Sequence, residues 1–257
     1  MTNIKNVVKV MNFHALLRVE KSKRVAESQF ELEKKLRKLF CEIYYNNNLI
    51  LDKKLIYDNP NGTVINIYIG NDLGFCSNFN SLVHKVMTKD KTSSKVLIGK
   101  KIFSIDDNTL MMITKDNFDS EFFKLQEMMT AYIKEKKLKE VNVIYNHYYN
   151  VSDIKFMTKR IFPIVLEKEE DLNLDIDYLA ETDINKVLSS LIGYFICHQI
   201  KICVTNSFAS ENLMRERITS EAKTKIEKIN EEEFKKQHKE KKYKQMKKDM
   251  ENYRKED

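Results

Sequence analysis

Cys197, His198 and Cys203 lie within seven residues of one another, and thiols beside an imidazole are the usual ligands of a transition metal. Their spacing matches no zinc pattern, and small side chains buried in a packed helix explain them as well. Cys41 and Cys76 complete a set of four cysteines with no CxxC spacing and no paired framework. A reducing compartment is the natural setting for such a set. Gly70-Asn71-Asp72-Leu73-Gly74 follows an apolar, β-branched run, where nucleotide folds place a phosphate loop. It fits neither GxGxxG nor GxxxxGK[ST], so the backbone is not evidently free to cradle a phosphate. It reads instead as a strand-to-helix turn. There is no GxSxG, HExxH or EF-hand loop. The five histidines, His14, His84, His147, His198 and His238, are scattered. The acid pairs Asp106-Asp107 and Glu169-Glu170 read as solvated loop charges. No nucleophile is placed beside a base. No catalytic, cofactor-binding or metal-binding residue is assigned, and the chain does not read as an enzyme.

A net charge of +7 and a pI near 9.0 call for an anionic partner without identifying it. The lysine-rich stretch from Lys235 to Lys255 is a candidate for nucleic acid. Glu240, Asp249, Glu251, Glu256 and Asp257 are interleaved there, and mixed signs favour a solvated helix face. Nucleic acid is therefore not expected as a partner. No segment reaches the roughly 20 apolar residues of a membrane span. The nearest, Ser189 to Val204, is interrupted by His198, Gln199 and Lys201. The N-terminus has no uninterrupted apolar region of the secretory kind. Membrane contact is expected only through partners.

The elements that must position these residues follow from where the helix breakers lie. All five glycines and both prolines fall between Pro60 and Gly193. Gly and Pro cost about 1 and about 3 kcal/mol inside a helix, so long stretches without them are informative. Residues Ile4 to about Tyr45 read as one helix. Val25, Leu32 and Leu39 recur every seven residues, with Leu36 and Ile43 on the same stripe, as a coiled-coil seam would. Ile4, Val7 and Met11 continue an apolar stripe less cleanly. From about Thr182 a second helix of some 75 residues, about 110 Å long, is expected, with Gly193 its one weak point. Leu188, Phe195, Ile202 and Ala209 keep a seven-residue spacing, and Ile218, Ala222, Ile226 and Ile229 extend a stripe. Beyond Ile229 the helix is strongly charged, yet Tyr243, Met246, Met250 and Tyr253 step by three, four and three.

Between the helices, Asn46-Asn47-Asn48 and Asn59-Pro60-Asn61-Gly62 are turn chemistry. Leu49 to Tyr57 is either a short strand or irregular. Strands are expected at Val64–Ile69, Ser94–Ile98 and Val141–Tyr145, with a fourth within Phe156–Leu166. Helices are expected at Asn78–Met87 and Phe118–Glu135. This alternation implies a parallel or mixed sheet covered by helices. The expected fold is α/β. A long antiparallel coiled coil of the terminal helices, 1–48 and 182–257, carries a central Rossmann-like domain, 49–181.

Three blocks together resemble the gamma subunit of F1-type rotary ATPases, the central shaft. The first runs from Ile67 to Asn80 and contains Gly70, Asp72, Gly74, Cys76 and Asn78. It is similar to the family's strand, its Asp-x-Gly-Leu-Cys-Gly and an Asn-containing helix start. Leu73 stands where the family has its first glycine, and Ser77 where it has its second. The second block is Val143-Ile144-Tyr145-Asn146-His147-Tyr148-Tyr149, like the family's Val-x-Tyr-Asn-x-Phe, with Phe162-Pro163-Ile164 like its Leu-Pro-Ile. The third is Ser207-Phe208-Ala209-Ser210-Glu211-Asn212-Leu213-Met214-Arg215, like its Ala-Ser-Glu followed by Arg-Met, with the last pair swapped. The stretch Lys9 to Arg18 fits the family's first helix more loosely. The order of the four blocks matches throughout the chain.

The resemblance implies a shaft inside a 3:3 hexamer of alpha-like and beta-like subunits. ATP and Mg would bind those partners, with no cofactor on this chain. Lys9, Arg18, Arg215 and Arg217 would be the charges facing the hexamer, and Met11 and Phe13 apolar contacts. Each is equally explained as a solvated coil position. The expected location is the bacterial cytoplasm, at the inner face of the cell membrane. Two departures stand out. The segment before Lys9 is short. The tail after Ile229 is charged, where the family ends in small, apolar residues turning in an apolar sleeve. They favour the gamma-like subunit of the diverged F1-like ATPases of some wall-less bacteria, including those tied to gliding motility. The alternatives are the gamma subunit of a conventional proton-translocating ATP synthase and, in another class, a non-catalytic coiled-coil adaptor.

Overall fold

The computed structural model describes residues 2–46, 48–102, 107–150, 153–165 and 183–253. Helix α1 spans Thr2–Tyr45. Helix α4 spans Ile184–Tyr253 and runs unbroken through Gly193. A Cβ at Gly193 would collide with Thr130 Oγ1 of the neighbouring helix. Gly193 is thus a packing position rather than a weak point of α4. The two helices run antiparallel. Lys5 pairs with Glu227 at 3.4 Å, and Asn12 Nδ2 donates to Glu216 Oε1 (3.2 Å) and Thr219 Oγ1 (3.1 Å). Further along, His198 Nε2 lies 3.2 Å from the Gln29 carbonyl oxygen.

The seam between them is a heptad, but not the expected one. Val25, Leu32 and Leu39 are 38%, 40% and 38% exposed. The buried stripe lies three residues earlier. It holds Ala15, Val19, Ser22, Gln29 and Phe40, with Ala26 and Leu36 half-buried. On α4, His198 beside Gln29 and Thr219 beside Asn12 are buried against this stripe. Leu36 and Ile43 do face inward.

A five-stranded sheet forms the middle of the chain: β1 Thr63–Ile69, β2 Ser94–Ile98, β3 Thr109–Ile113, β4 Leu138–Asn150 and β5 Asp153–Phe162. Its order is β3-β2-β1-β4-β5. The pairs among the first four are parallel, and β5 returns antiparallel to β4. Ile67 stands beside Val96 on one side and Val143 on the other. Helices α2 (Ser81–Lys89) and α3 (Phe118–Lys134) supply the crossovers. Ile65, Ile67 and Ile69 pack in one core with Leu125 and Met129 of α3 and Ile192 and Ile196 of α4. Tyr68, Leu97 and Ile144 face the other way, toward Val83 and Met87 of α2. Alternating β1 side chains thus feed two cores, as burial of both sheet faces requires.

The sheet differs from the sequence reading in detail. Strand β3 was not expected, because Thr-Leu-Met-Met-Ile has few β-branched residues and no alternation. Strand β4 is far longer than Val141–Tyr145. The segment Leu49–Tyr57 contains a 3-10 turn at Lys53–Leu55 and no strand. Asp106, Glu169, Glu170 and Leu166 lie outside the described residues. Between Phe162 and Pro163 the peptide is cis.

One 18-residue window of α4 is apolar enough by composition to cross a membrane, contrary to the sequence reading. Two thirds of that window is buried within the fold, so core packing accounts for its apolarity. The other end of α4 differs. Every side chain from 231 to 247 is exposed, and Tyr243, Met246 and Met250 are more than half exposed.

Candidate functional site at the junction of domain and helix pair

Strand β1 ends at Ile69, and the chain turns sharply at Gly70. A Cβ there would sit 2.7 Å from Ile102 Cβ, so only glycine fits. Asn80, just before α2, then closes the loop. Its Oδ1 accepts from the Asn71 amide (3.0 Å), and its Nδ2 donates to Asn71 Oδ1 (2.6 Å) and the Lys101 carbonyl (3.1 Å). Asn78 does not take this role. It is exposed, and its carbonyl only accepts from the Ser81 amide.

So shaped, the loop presents two consecutive amides to α4. Glu211 Oε1 accepts from Asp72 N (2.9 Å) and Leu73 N (2.5 Å). Its other oxygen pairs with Lys115 Nζ at 2.7 Å. The two side chains are 0% and 4% exposed, so the ion pair is desolvated as well as charged. Asp72 ties in the neighbouring turns, accepting from the amides of Lys100 (2.7 Å) and Lys115 (3.1 Å). Arg215, one turn beyond Glu211, donates to the Gly74 carbonyl at 3.3 Å. Cys76 Sγ lies 3.3 Å from the same carbonyl oxygen. Burial and then the Glu211 charge push the Cys76 thiol up to about 11, so it is unreactive near neutrality.

Two residues of this loop adopt positive φ without being glycine, Phe75 at 60° and Ser77 at 49°. L-residues in that region cost roughly 1 kcal/mol each. The loop holds them because Glu211, Arg215 and Asn80 fix it on both sides.

The remaining motif residues support this junction. Asn146 is buried and donates to the Phe79 carbonyl at 2.8 Å. Tyr145 is buried, with its hydroxyl 3.0 Å from His147 Nδ1. Burial, then Cys203, pushes the Tyr145 phenol well above its usual range. Ala209 and Ser210 are buried in α4, and Ser210 Oγ donates to the Asn206 carbonyl at 3.0 Å. The arrangement fastens a sheet to a long helix; no described group in it is set up as a nucleophile, acid or base. Cys197 and Cys203 are buried free thiols, pushed by burial to about 12 and about 11. Among the described residues no cluster of His, Cys, Asp and Glu is placed to hold a metal.

Sequence reasoning missed Asn71, Asn80 and Lys115. Lys115 follows β3, and with that strand unrecognised nothing placed the lysine near α4. The six residues expected at a partner interface lie along the helix pair. Lys9, Phe13 and Arg18 are exposed, and Met11 and Arg217 are half-buried. Arg215 is half-buried and already engaged with the loop. Arg18 also lines an open cleft of about 480 Å³ between α1, α4 and the Asp72 loop.

These features define a long helix pair latched to an α/β domain. Residues 1–244 match the ATP synthase family. The chain belongs to the gamma-chain branch of that family. An ATP synthase gamma chain of Wolbachia is 24% identical over 233 residues, covering 82% of this chain and 81% of the relative. One of Mycoplasma mobile is 27% identical, covering 87% and 83%. The fold is that of the mitochondrial ATP synthase central stalk of Tetrahymena thermophila, with a TM-score of 0.53 at 13% identity over 84% of this chain and 99% of that one. The chain is a gamma-type, non-catalytic subunit of a rotary ATPase, as its sequence led one to expect.

Proposed function

We propose that this chain is the central shaft of an F1-like ATPase, turned by a 3:3 hexamer of alpha-like and beta-like subunits that bind ATP and Mg. The observation carrying this reading is the outward face of α1. Ile4, Val7, Val10, Phe13 and Leu17 are 50% to 62% exposed, on a helix whose opposite face is taken by α4. Such a stripe is poorly matched to water and well matched to an enclosing partner. Lys9 and Arg18 flank it, and these with Met11, Phe13, Arg215 and Arg217 are the proposed contacts. The buried ion pair at Glu211 gives the shaft a stiff attachment to its output domain, which transmission of torque requires. The charged end of α4 favours a diverged, force-generating ATPase, including the gliding-motility type, over a conventional proton-translocating synthase. Its place would be the cytoplasmic face of the bacterial membrane, held there by other subunits.

The test is gentle purification of the native complex, with every co-purifying chain identified by mass spectrometry. Alpha- and beta-like subunits with a proteolipid ring would make it the conventional synthase. The same hexamer with other membrane or skeletal proteins would make it the dedicated motor. Absence of any ATPase subunit would leave an adaptor. Within the complex, Leu32→Pro should break α1 and uncouple ATP hydrolysis from output while leaving ATPase activity measurable. Unchanged coupling in that variant would count against a torque-bearing shaft.

A further inference from the structure

Two clefts run beside α1. The first, of about 480 Å³, lies against α4 and the Asp72 loop, and the second, of about 510 Å³, lies between α1, α3 and α4. They share Val25, Gln29, Asp119 and Lys201. Each has the size of a small-molecule site, about 300–1,000 Å³. Val25, Phe118, Val204 and Phe208 give the first an apolar lining.

The charges along this lining are not all answered. Asp116 pairs with Lys100 at 2.5 Å, and Asp119 with Lys201 at 2.6 Å. The two oxygens of Asp72 accept backbone amides, and Lys115 is paired with Glu211. On the α1 wall, Arg18 and Lys21, with Arg24 a turn further, have no acidic partner among the described residues. An arginine and a lysine left free beside an apolar lining suit an anionic head on an apolar body. Gln29, where the clefts meet, is 8% exposed. Its main-chain carbonyl oxygen faces His198 Nε2, but its side-chain Oε1 is buried without a donor. Buried acceptors are nearly always answered. The terminal carboxamide turns easily, so a ligand N–H or O–H entering at the join can supply that donor. Gln29 lies eight residues, about 12 Å, beyond Lys21 along α1, which sets the length of a molecule that meets both.

The geometry points to a binding site here for an amphipathic anion. Its apolar body would lie against Val25 and Phe208, its carboxylate, phosphate or sulfonate on Arg18 and Lys21, and its hydrogen-bond donor on Gln29. The site is built from this chain alone and does not rest on the shaft reading.

The test titrates the purified full chain with toluidinonaphthalene sulfonate, a fluorescent aromatic anion with a free N–H. A single saturable site per chain is expected, with the unfolding temperature rising as probe is added. Arg18→Ser combined with Lys21→Ser removes the anion's partners from exposed positions, so the fold stands and the dissociation constant should rise about tenfold or more. Val25→Trp fills the cleft and keeps both charges. It should weaken the probe as much without lowering the unfolding temperature. Gln29→Met removes the unanswered oxygen, and should weaken the probe severalfold while leaving the free chain no less stable. Displacement by decanoate would make the natural ligand an acyl anion, and displacement by naphthoate an aromatic one. Failure of both to displace the probe would overturn the site. So would several weak sites per chain, a falling unfolding temperature, or unchanged affinity in Val25→Trp, which would put the probe on the outward apolar stripe of α1.

Discussion

From Leu188 to Thr219, α4 is walled in by the sheet, by α3 and by α1. From 231 to 247 the same helix is exposed on every side. Both stretches are helical, but for different reasons. The first contains β-branched and aromatic residues such as Ile192, Phe195, Ile196 and Val204, which are mediocre helix formers held by burial. The second is almost all Glu, Lys, Gln and Met, which favour helix intrinsically. Glu231, Glu232 and Glu240 also stand four residues before Lys235, Lys236 and Lys244, an order that favours helix even though none of the three closes into an ion pair among the described residues. Helix continuity therefore says little about where stability resides. The buried half should carry nearly all of it.

The strongest test of that asymmetry is Glu211→Ala. It strands the Lys115 ammonium in a site where it is 4% exposed and removes the acceptor of two backbone amides. Breaking a buried pair from one side costs about 3–5 kcal/mol. Urea unfolding of the full chain should show a loss of that size. Glu211→Gln keeps an oxygen for the two amides and should lose less. A loss below 1 kcal/mol for the alanine variant would mean the loop is held without the latch.

A second, smaller effect separates the domain from the exposed half by pH. Burial of Asp90 would by itself raise its pKa. Hydrogen bonds from Ser93, Tyr68 and Asn66 outweigh this and hold the carboxyl at about 2, below its ordinary 3.8. A group depressed in the folded state stabilises above its unfolded pKa and loses that contribution as pH falls through the folded one. The window is about pH 4 to 2, and the contribution is about 2 kcal/mol. Hydrogen exchange between those pH values, corrected for intrinsic rates, should show opening of β1, α2 and the buried half of α4 together. Residues 231–247 should be unprotected throughout. Asp90→Asn should flatten the dependence on pH. Protection of the exposed half that tracks the domain would break the comparison.

The same contrast explains what was legible in the sequence. The two helices were evident because their limits are written in absences of Gly and Pro, which local chemistry enforces. Strands β1 and β2 were evident as β-branched runs. The seam was partly misplaced because Val25 and Leu32 are more apolar than Ser22 and Gln29, which lie three residues before them, while Leu36 and Ile43 were placed on it correctly. Periodicity identifies an apolar stripe but not its partner, and Val25 and Leu32 border the contact with α4 rather than filling it. Strand β3 lacked propensity and is an edge strand, joined to the sheet only through β2. The latch was half legible. Asp72 and Glu211 were noticed through a resemblance, 139 residues apart in sequence. That the Asp72 amide, rather than its carboxylate, meets Glu211 depends on a turn no local pattern announces.

The smallest expected effect is the most specific to the exposed half. Tyr243 and Met246 are 67% and 54% exposed, on a stretch of α4 where every neighbour is exposed too. Replacing either by alanine removes little buried area and puts the best helix former in its place. Stability of the isolated chain should change by less than about 0.5 kcal/mol, the ordinary range for surface substitutions. Ala15→Leu, at a seam position 1% exposed, is the matched control, since overpacking there should cost about 1–3 kcal/mol. Thermal unfolding of the three variants side by side measures the difference. If Tyr243→Ala destabilised the isolated chain as much as Ala15→Leu, the end of α4 would have to be packed in solution, on itself or on a second copy. If it did not, any defect the variant shows in the assembled complex would belong to contacts with the partner subunits.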